Sequence, residues 1–353
     1  MLPKSKNKEK YSVFLEQNPT NEEFMAKFSD DPNKRNNAEE TRLMTEFFKI
    51  NRRITYAFCI PLIKKLDSIY YCGFAKIPGR WLASCVRYEI IDRKELQPTK
   101  DTYNKQQHVI HSCMQQLLHS EFENYLGKCR YSVTKYERLL RFSIPHKRDF
   151  MILLNAYPDK FEDFTKAVVD PFISLIMKEK KDLIDSCEKQ EKIMKEMKFE
   201  NIVPNFFNTK NSDLVNLLKK FYSNDERVQY ASIGGYKNLP LPLARYKKAK
   251  NLLLKPYDEF EYLIQSIEGL KLRNEFTRFF GNIEFFLSVY EKRTTLVIPF
   301  DERFFALIAL KDKMHDEKIP DDEKNYSPST KAIFDFIKAQ DMKYITTGLS
   351  MNS

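Results

Sequence analysis

Arg227 to Tyr257 is a run of 31 residues without an Asp or Glu. It carries seven cations, Arg227, Lys237, Arg245, Lys247, Lys248, Lys250 and Lys255, interleaved with Tyr230, Tyr236, Tyr246 and Tyr257. Cationic side chains neutralise phosphates and aromatic faces stack on bases; the Gly234-Gly235 pair would let backbone come close to a ligand. That chemistry is the holding of a polyanion, single-stranded RNA foremost. A second basic region, Lys128 to Arg148, sets Lys128, Arg130, Lys135, Arg138, Arg141, Lys147 and Arg148 against only Glu137 and Asp149. Read as a helix over 132–142, it puts Val133, Tyr136, Leu139 and Leu140 on one face and Lys135, Arg138 and Arg141 on the other, a cationic stripe. Arg245, Lys247, Lys248 and Lys250 would instead point around a helix axis. An ordinary solvated face carries the same charges, so the two regions together, not either alone, suggest a groove.

Other chemistry is poorly represented. His108, His111 and His119 share one predicted helix with Cys113, but His108 and His119 are three turns, about 16 Å, apart. No second segment offers ligands, so neither metal nor cofactor is expected. Arg141-Phe-Ser-Ile-Pro-His146 resembles the Arg-x4-His motif of HEPN-type ribonucleases, all-α domains that pair Arg and His to cut RNA. Phe142 stands where that motif has a polar residue, and after Arg273-Asn274 the His position is Arg278. With no nucleophile, base and stabiliser in view, a non-enzyme is expected.

These residues need elements to position them. A chain of 353 residues with 42% hydrophobic and 14% aromatic residues is long enough for a core and suggests two lobes. It holds only 8 glycines, none between Arg130 and Ile233, which argues for helices on short loops. The expected fold is all-α: two helical lobes with a basic groove between them, extended terminal arms and at most one minor hairpin. Helices are predicted over 38–60, 80–93, 101–126, 132–142, 161–199 (bent at Pro171), 212–222, 258–291, 301–314 and 329–340. Residues 294–299 form the best strand candidate. The divisions are a polar arm over 1–36, lobes over 37–203 and 204–314, and a linker with a C-terminal amphipathic helix over 315–353. No repeat shows at solenoid periods. The net charge of +10 fits nucleic acid, an acidic partner or anionic lipid alike. Six scattered cysteines without Cys-x-x-Cys spacing and no signal peptide point to an intracellular chain, and the apolar 54–63 is too short to span a membrane.

Gln229-Tyr-Ala-Ser-Ile-Gly-Gly235 and Leu243-Ala-Arg-Tyr-Lys-Lys248 resemble the aromatic-Ala-x-Gly-x-Gly element and downstream Arg of nucleoproteins from nonsegmented negative-strand RNA viruses. The resemblance covers about 20 residues, with the glycines adjacent rather than alternate. It implies two helical lobes clasping single-stranded RNA and homo-oligomers joined through terminal arms. Arg130, Lys135, Arg138, Arg141, Lys147, Arg148, Lys237, Arg245, Lys247, Lys248 and Lys250 would then hold phosphates, and Tyr230, Tyr236 and Tyr246 would stack on bases. The alternative readings are a structural subunit of a large assembly, such as an organellar ribosome or respiratory complex, and a HEPN-like ribonuclease.

Overall fold

Strands, not helices, organise this chain. The computed structural model describes residues 11–13, 45–46, 49–77, 80–90, 102–146, 149–208, 211–237, 241–247, 256–311, 328–341 and 345. The strands are β1 (Tyr11–Val13), β2 (Ile69–Lys76), β3 (Arg80–Arg87), β4 (Cys129–Tyr136), β5 (Leu140–His146), β6 (Phe150–Ala156), β7 (Val228–Gly235), β8 (Leu241–Lys247), β9 (Ile283–Tyr290), β10 (Thr294–Pro299) and β11 (Phe304–Leu310). They form one antiparallel sheet in the order β1-β3-β2-β6-β5-β4-β9-β10-β11-β7-β8. The all-α, two-lobed expectation is therefore wrong: a single sheet runs through both halves.

The physical reason lies in burial on both faces. Every residue of β6 and of β11 is buried, so neither shows the alternation of a one-sided strand. In 132–142, apolar residues three and four apart imitate a helix, but Val133 and Tyr136 belong to β4, and Leu139 follows a tight turn into β5. Likewise 80–87 and 304–310 are strands, and the helix begun near 258 ends at Asn274. The expected strand at 294–299 is present as β10.

The helices are α1 (Ile60–Lys65), α2 (Thr102–Ser120), α3 (Glu123–Leu126), α4 (Glu162–Val168), α5 (Asp170–Lys195), α6 (Phe199–Phe207), α7 (Ser212–Asn224), α8 (Pro256–Asn274), α9 (Thr277–Phe280) and α10 (Pro328–Lys338). A π-helical turn, Thr55–Cys59, precedes Pro61 and carries the chain into α1. Val169 separates α4 from α5 just before Pro171. Asn211 caps α7 by accepting from the Leu214 amide at 3.2 Å. The C-terminal helix is no free arm: Phe336 meets Phe58 at 5.9 Å and Phe334 meets Tyr131 at 5.2 Å, and Ile333 is wholly buried. No described helix is long and apolar enough to cross a membrane, and all six cysteines are free and buried.

A repeat much longer than a solenoid unit is present. The series β2-β3-α2-α3-β4-β5-β6 recurs as β7-β8-α8-α9-β9-β10-β11. The sheet order reads outward in the same sequence on either side of the β4–β9 seam. At the seam Val133 lies opposite Leu287, with Ser132 opposite Ser288 and Thr134 opposite Phe286. A pseudo-two-fold axis therefore passes between Val133 and Leu287. At the one offset that carries Gly127 onto Gly281, Tyr136-Glu137 falls on Tyr290-Glu291, Ile144-Pro145 on Ile298-Pro299, and Phe122 on Phe276.

Candidate functional site

The basic residues singled out above do not converge on a groove. β4 and β7 are four strand spacings apart with β9, β10 and β11 between them, about 19 Å at sheet spacing. The second basic region is strand and turn, not a helical stripe. Lys135 is nearly buried; its Nζ donates to the Tyr136 carbonyl at 2.9 Å and pairs with Glu284 at 3.3 Å. Arg138 sits in the β4–β5 turn and donates to the Phe279 carbonyl at 3.0 Å. Arg141 lies buried under α2, donating to Ser112 Oγ at 3.2 Å, and burial lowers its pKa to about 10. Arg130 is half-buried on β4. Lys147, Arg148, Lys248 and Lys250 lie outside the described residues. Arg141 and His146 are five apart on one strand and so face opposite sides of the sheet, which removes the ribonuclease pairing.

The four described cations of the acid-free stretch pair with acids that lie outside it. Arg227 pairs with Asp225, Lys237 with Glu302 at 2.7 Å, Arg245 with Glu259 at 2.9 Å, and Lys247 with the same Glu259. Arg245 also lies 4.4 Å over the Phe207 ring. The tyrosines serve the fold as well. Tyr230 is buried, Tyr236 donates to the Asp301 carbonyl at 3.1 Å, and Tyr246 packs edge-on against Tyr222 at 5.0 Å. Gly234 lies opposite Phe305, whose ring a Cβ there would meet at 2.8 Å; the glycine makes room for an aromatic.

A different cluster does converge, beneath α2 and α8 at the seam. The last turn of each helix reaches across to the other repeat's central strand. His119 Nδ1 lies 2.6 Å from the Tyr290 hydroxyl, and its Nε2 lies 3.3 Å from Ser288 Oγ. Its counterpart Arg273 donates from Nε to Thr134 Oγ1 at 2.9 Å and from Nη1 to the Gly269 carbonyl at 2.9 Å, while Tyr136 donates to the Arg273 carbonyl at 3.2 Å. The guanidinium stacks 3.9 Å over Phe286. A cavity of about 30 Å³ opens here, lined by His119 and Arg273 together with Gln115, Gln265, Ser288 and Tyr290. Among the described residues no group of three or more His, Cys, Asp and Glu could hold a metal ion.

Burial, reinforced by the Arg273 charge, lowers the His119 pKa from 6.5 to about 3. The imidazole is thus neutral in the fold but takes up a proton once unfolded. Its contribution is complete above about pH 6.5 and is lost as pH falls toward 3. Urea titrations of the wild type should show unfolding free energy falling with a slope approaching about 1.4 kcal/mol per pH unit across that window. A His119→Gln protein is expected to lack this share of the slope; identical slopes would show that His119 titrates normally.

The outer side of α2 is unusual too. Ile110, Met114 and Leu117 follow one another at helical spacing and are 38%, 44% and 42% exposed. Only Lys105 is charged in the whole helix. On the duplicate helix α8, Met114 and Leu117 correspond to Glu268 and Lys271, which form an ion pair at 3.1 Å. Neither Arg273's role nor this stripe was evident from local pattern. Aligning the halves on Gly127 and Gly281 would have set Arg273 against His119 and Glu268 against Met114. The sequence matches no protein-family model and no curated protein.

Proposed function

We propose that this chain is a non-enzymatic subunit of a larger protein assembly, and that the outer face of α2 is its contact surface. The observation that supports this is the contrast between the two repeats. The same two positions carry a solvent-adapted ion pair on α8 and exposed Met114 and Leu117 on α2. Contiguous apolar side chains on a helix with one formal charge are the signature of a surface that another protein covers. The ionic pairing within the two basic segments supports the same reading, since among their described residues Lys135, Lys237, Arg245 and Lys247 already have acidic partners in the chain.

The repeat supplies its own control. Met114→Glu with Leu117→Lys writes the α8 pair onto α2. Such an exposed exchange should leave unfolding free energy within about 0.5 kcal/mol of the wild type. Tagged full-length protein is purified from its native cells under mild salt, and stoichiometric companions are identified by mass spectrometry and sedimentation. A defined companion should be held by the wild type and lost from the doubly substituted chain. A companion bound equally well by both, or a wild type that sediments alone, would refute the assignment of α2 as the contact. Loss of a self-associated species on substitution would identify the companion as a second copy.

A further inference from the structure

The segment that joins the two repeats holds a groove of its own. Lys220 of α7 pairs with Glu179 of α5 at 2.7 Å, and Asn211, the cap of α7, donates to the Ser186 carbonyl at 3.2 Å. The two contacts make the helices antiparallel neighbours, with a cavity of about 330 Å³ between them. Asp182 and Asp185 line its α5 wall and Asp213 its α7 wall, and none of the three forms an ion pair among the described residues. Glu179 is already engaged by Lys220, so three carboxylates face one remaining cation, Lys189, on a chain whose net charge is +10. Carboxylates in water need no partner, so they alone mark nothing. The buried part of the lining does. Ser186 is 5% exposed, yet its hydroxyl borders the cavity and makes no hydrogen bond among the described residues. A helical serine often turns back onto its own helix, as Ser266 of α8 does to the Tyr262 carbonyl at 2.9 Å. A bare hydroxyl in a buried setting is costly unless a molecule from outside meets it.

We propose that the groove between α5 and α7 receives an arginine side chain of a partner polypeptide, its guanidinium held by Asp182, Asp185, Asp213 and the Ser186 hydroxyl. The lining selects the group. Carboxylates stand on two walls, and a neutral acceptor lies among them. A guanidinium carries five donors in a planar fork and meets several acceptors at once, whereas an ammonium is a compact point charge. An ammonium is on offer already: Lys189 lines the groove and pairs with none of these carboxylates. Leu217, also buried, gives the methylene stem of an arginine an apolar strip to lie on. The three aspartates are exposed, so a side chain carried on another backbone can reach them. A metal ion is not the occupant, since among the described residues no three acids are placed to hold one. Nothing in this depends on the contact assigned to α2.

Titration calorimetry of the full chain at low ionic strength reads the site, with acetyl-Gly-Arg-Gly-amide as the probe. Saturable binding in the millimolar range or tighter is expected. The matching lysine peptide should bind about fivefold more weakly. Asp182→Asn with Asp185→Asn should weaken the arginine peptide about tenfold, and Ser186→Ala about threefold, the weight of one hydrogen bond. An unchanged thermal midpoint verifies that these variants keep the fold. Met114→Glu with Leu117→Lys should leave the affinity for the peptide as it is, which separates failure of this site from failure of the α2 contact. No saturable binding, equal affinity for the two peptides, or an affinity that the aspartate and serine variants leave untouched would each overturn the site.

Discussion

Glu259→Gln is expected to destabilise the chain by about 3 kcal/mol, a loss visible as a clear drop in the urea midpoint. The Glu259 side chain is wholly buried on α8 and holds Arg245 and Lys247 of β8 together. Removing the carboxylate charge leaves those cations 14% and 25% exposed, facing each other without an anion. That is the expensive way to break a buried ionic group, since the cations have already lost most of their water. Replacing all three by apolar residues, Glu259→Leu with Arg245→Met and Lys247→Leu, should recover most of the loss. A Glu259→Gln protein as stable as the wild type would mean that the three charges stay hydrated. Through the same ionic cluster two cations of the acid-free stretch, Arg245 and Lys247, receive their acid from α8.

The second large effect concerns the seam. Gly127 and Gly281 follow α3 and α9 with φ of 75° and 80° and nearly extended ψ, a region open to glycine alone. Each also presses on a glutamate of the other repeat. A Cβ on Gly127 would meet that of Glu291 at 2.6 Å, and one on Gly281 that of Glu137 at 2.7 Å. Backbone bonds tie the same places: Glu291 donates to the Lys128 carbonyl at 3.1 Å and Glu137 to the Asn282 carbonyl at 3.0 Å. Gly127→Ala and Gly281→Ala should each cost about 3 kcal/mol, from disallowed backbone and steric clash together. The double variant should approach the sum and, against typical stabilities of about 5–15 kcal/mol, be largely unfolded at 37 °C. Calorimetry showing single variants within about 0.5 kcal/mol of the wild type would refute the seam's dependence on these glycines.

Much of the helical part was legible. The 3.6-residue period marked α2, α5, α7 and the start of α8, and Pro171 marked the break before α5. The sheet was not legible, for physical reasons. Strands covered on both sides, such as β6 and β11, carry unbroken apolar runs that periodicity cannot separate from helix. Hairpin turns at Glu137-Arg138 and Glu291-Lys292 use charged residues instead of the glycines that usually announce them. Scarce glycine was therefore a false sign of an all-α chain. The candidate site failed differently. Lys135, Arg245 and Lys247 stood out as charge, but one sequence window cannot show which distant acid closes each pair. Arg273 drew notice only as the opening of a broken Arg-x4-His pattern; its place in the fold becomes visible only against His119.

The β4–β9 seam has a consequence for how such a chain can vary. Each half alone would end in a bare strand edge, and a lone half could bury it only by meeting a twin. Identical twins are bound by symmetry: a change at one place is a change at both, and a cation introduced at the axis would face its own copy. Covalent fusion lifts that bond. One half can carry an imidazole where the other carries a guanidinium, and an oily helix face where the other carries an ion pair, each altered without doubling the cost. A joined pair thus carries two distinct surfaces on one repeated shape, which two identical copies could not possess.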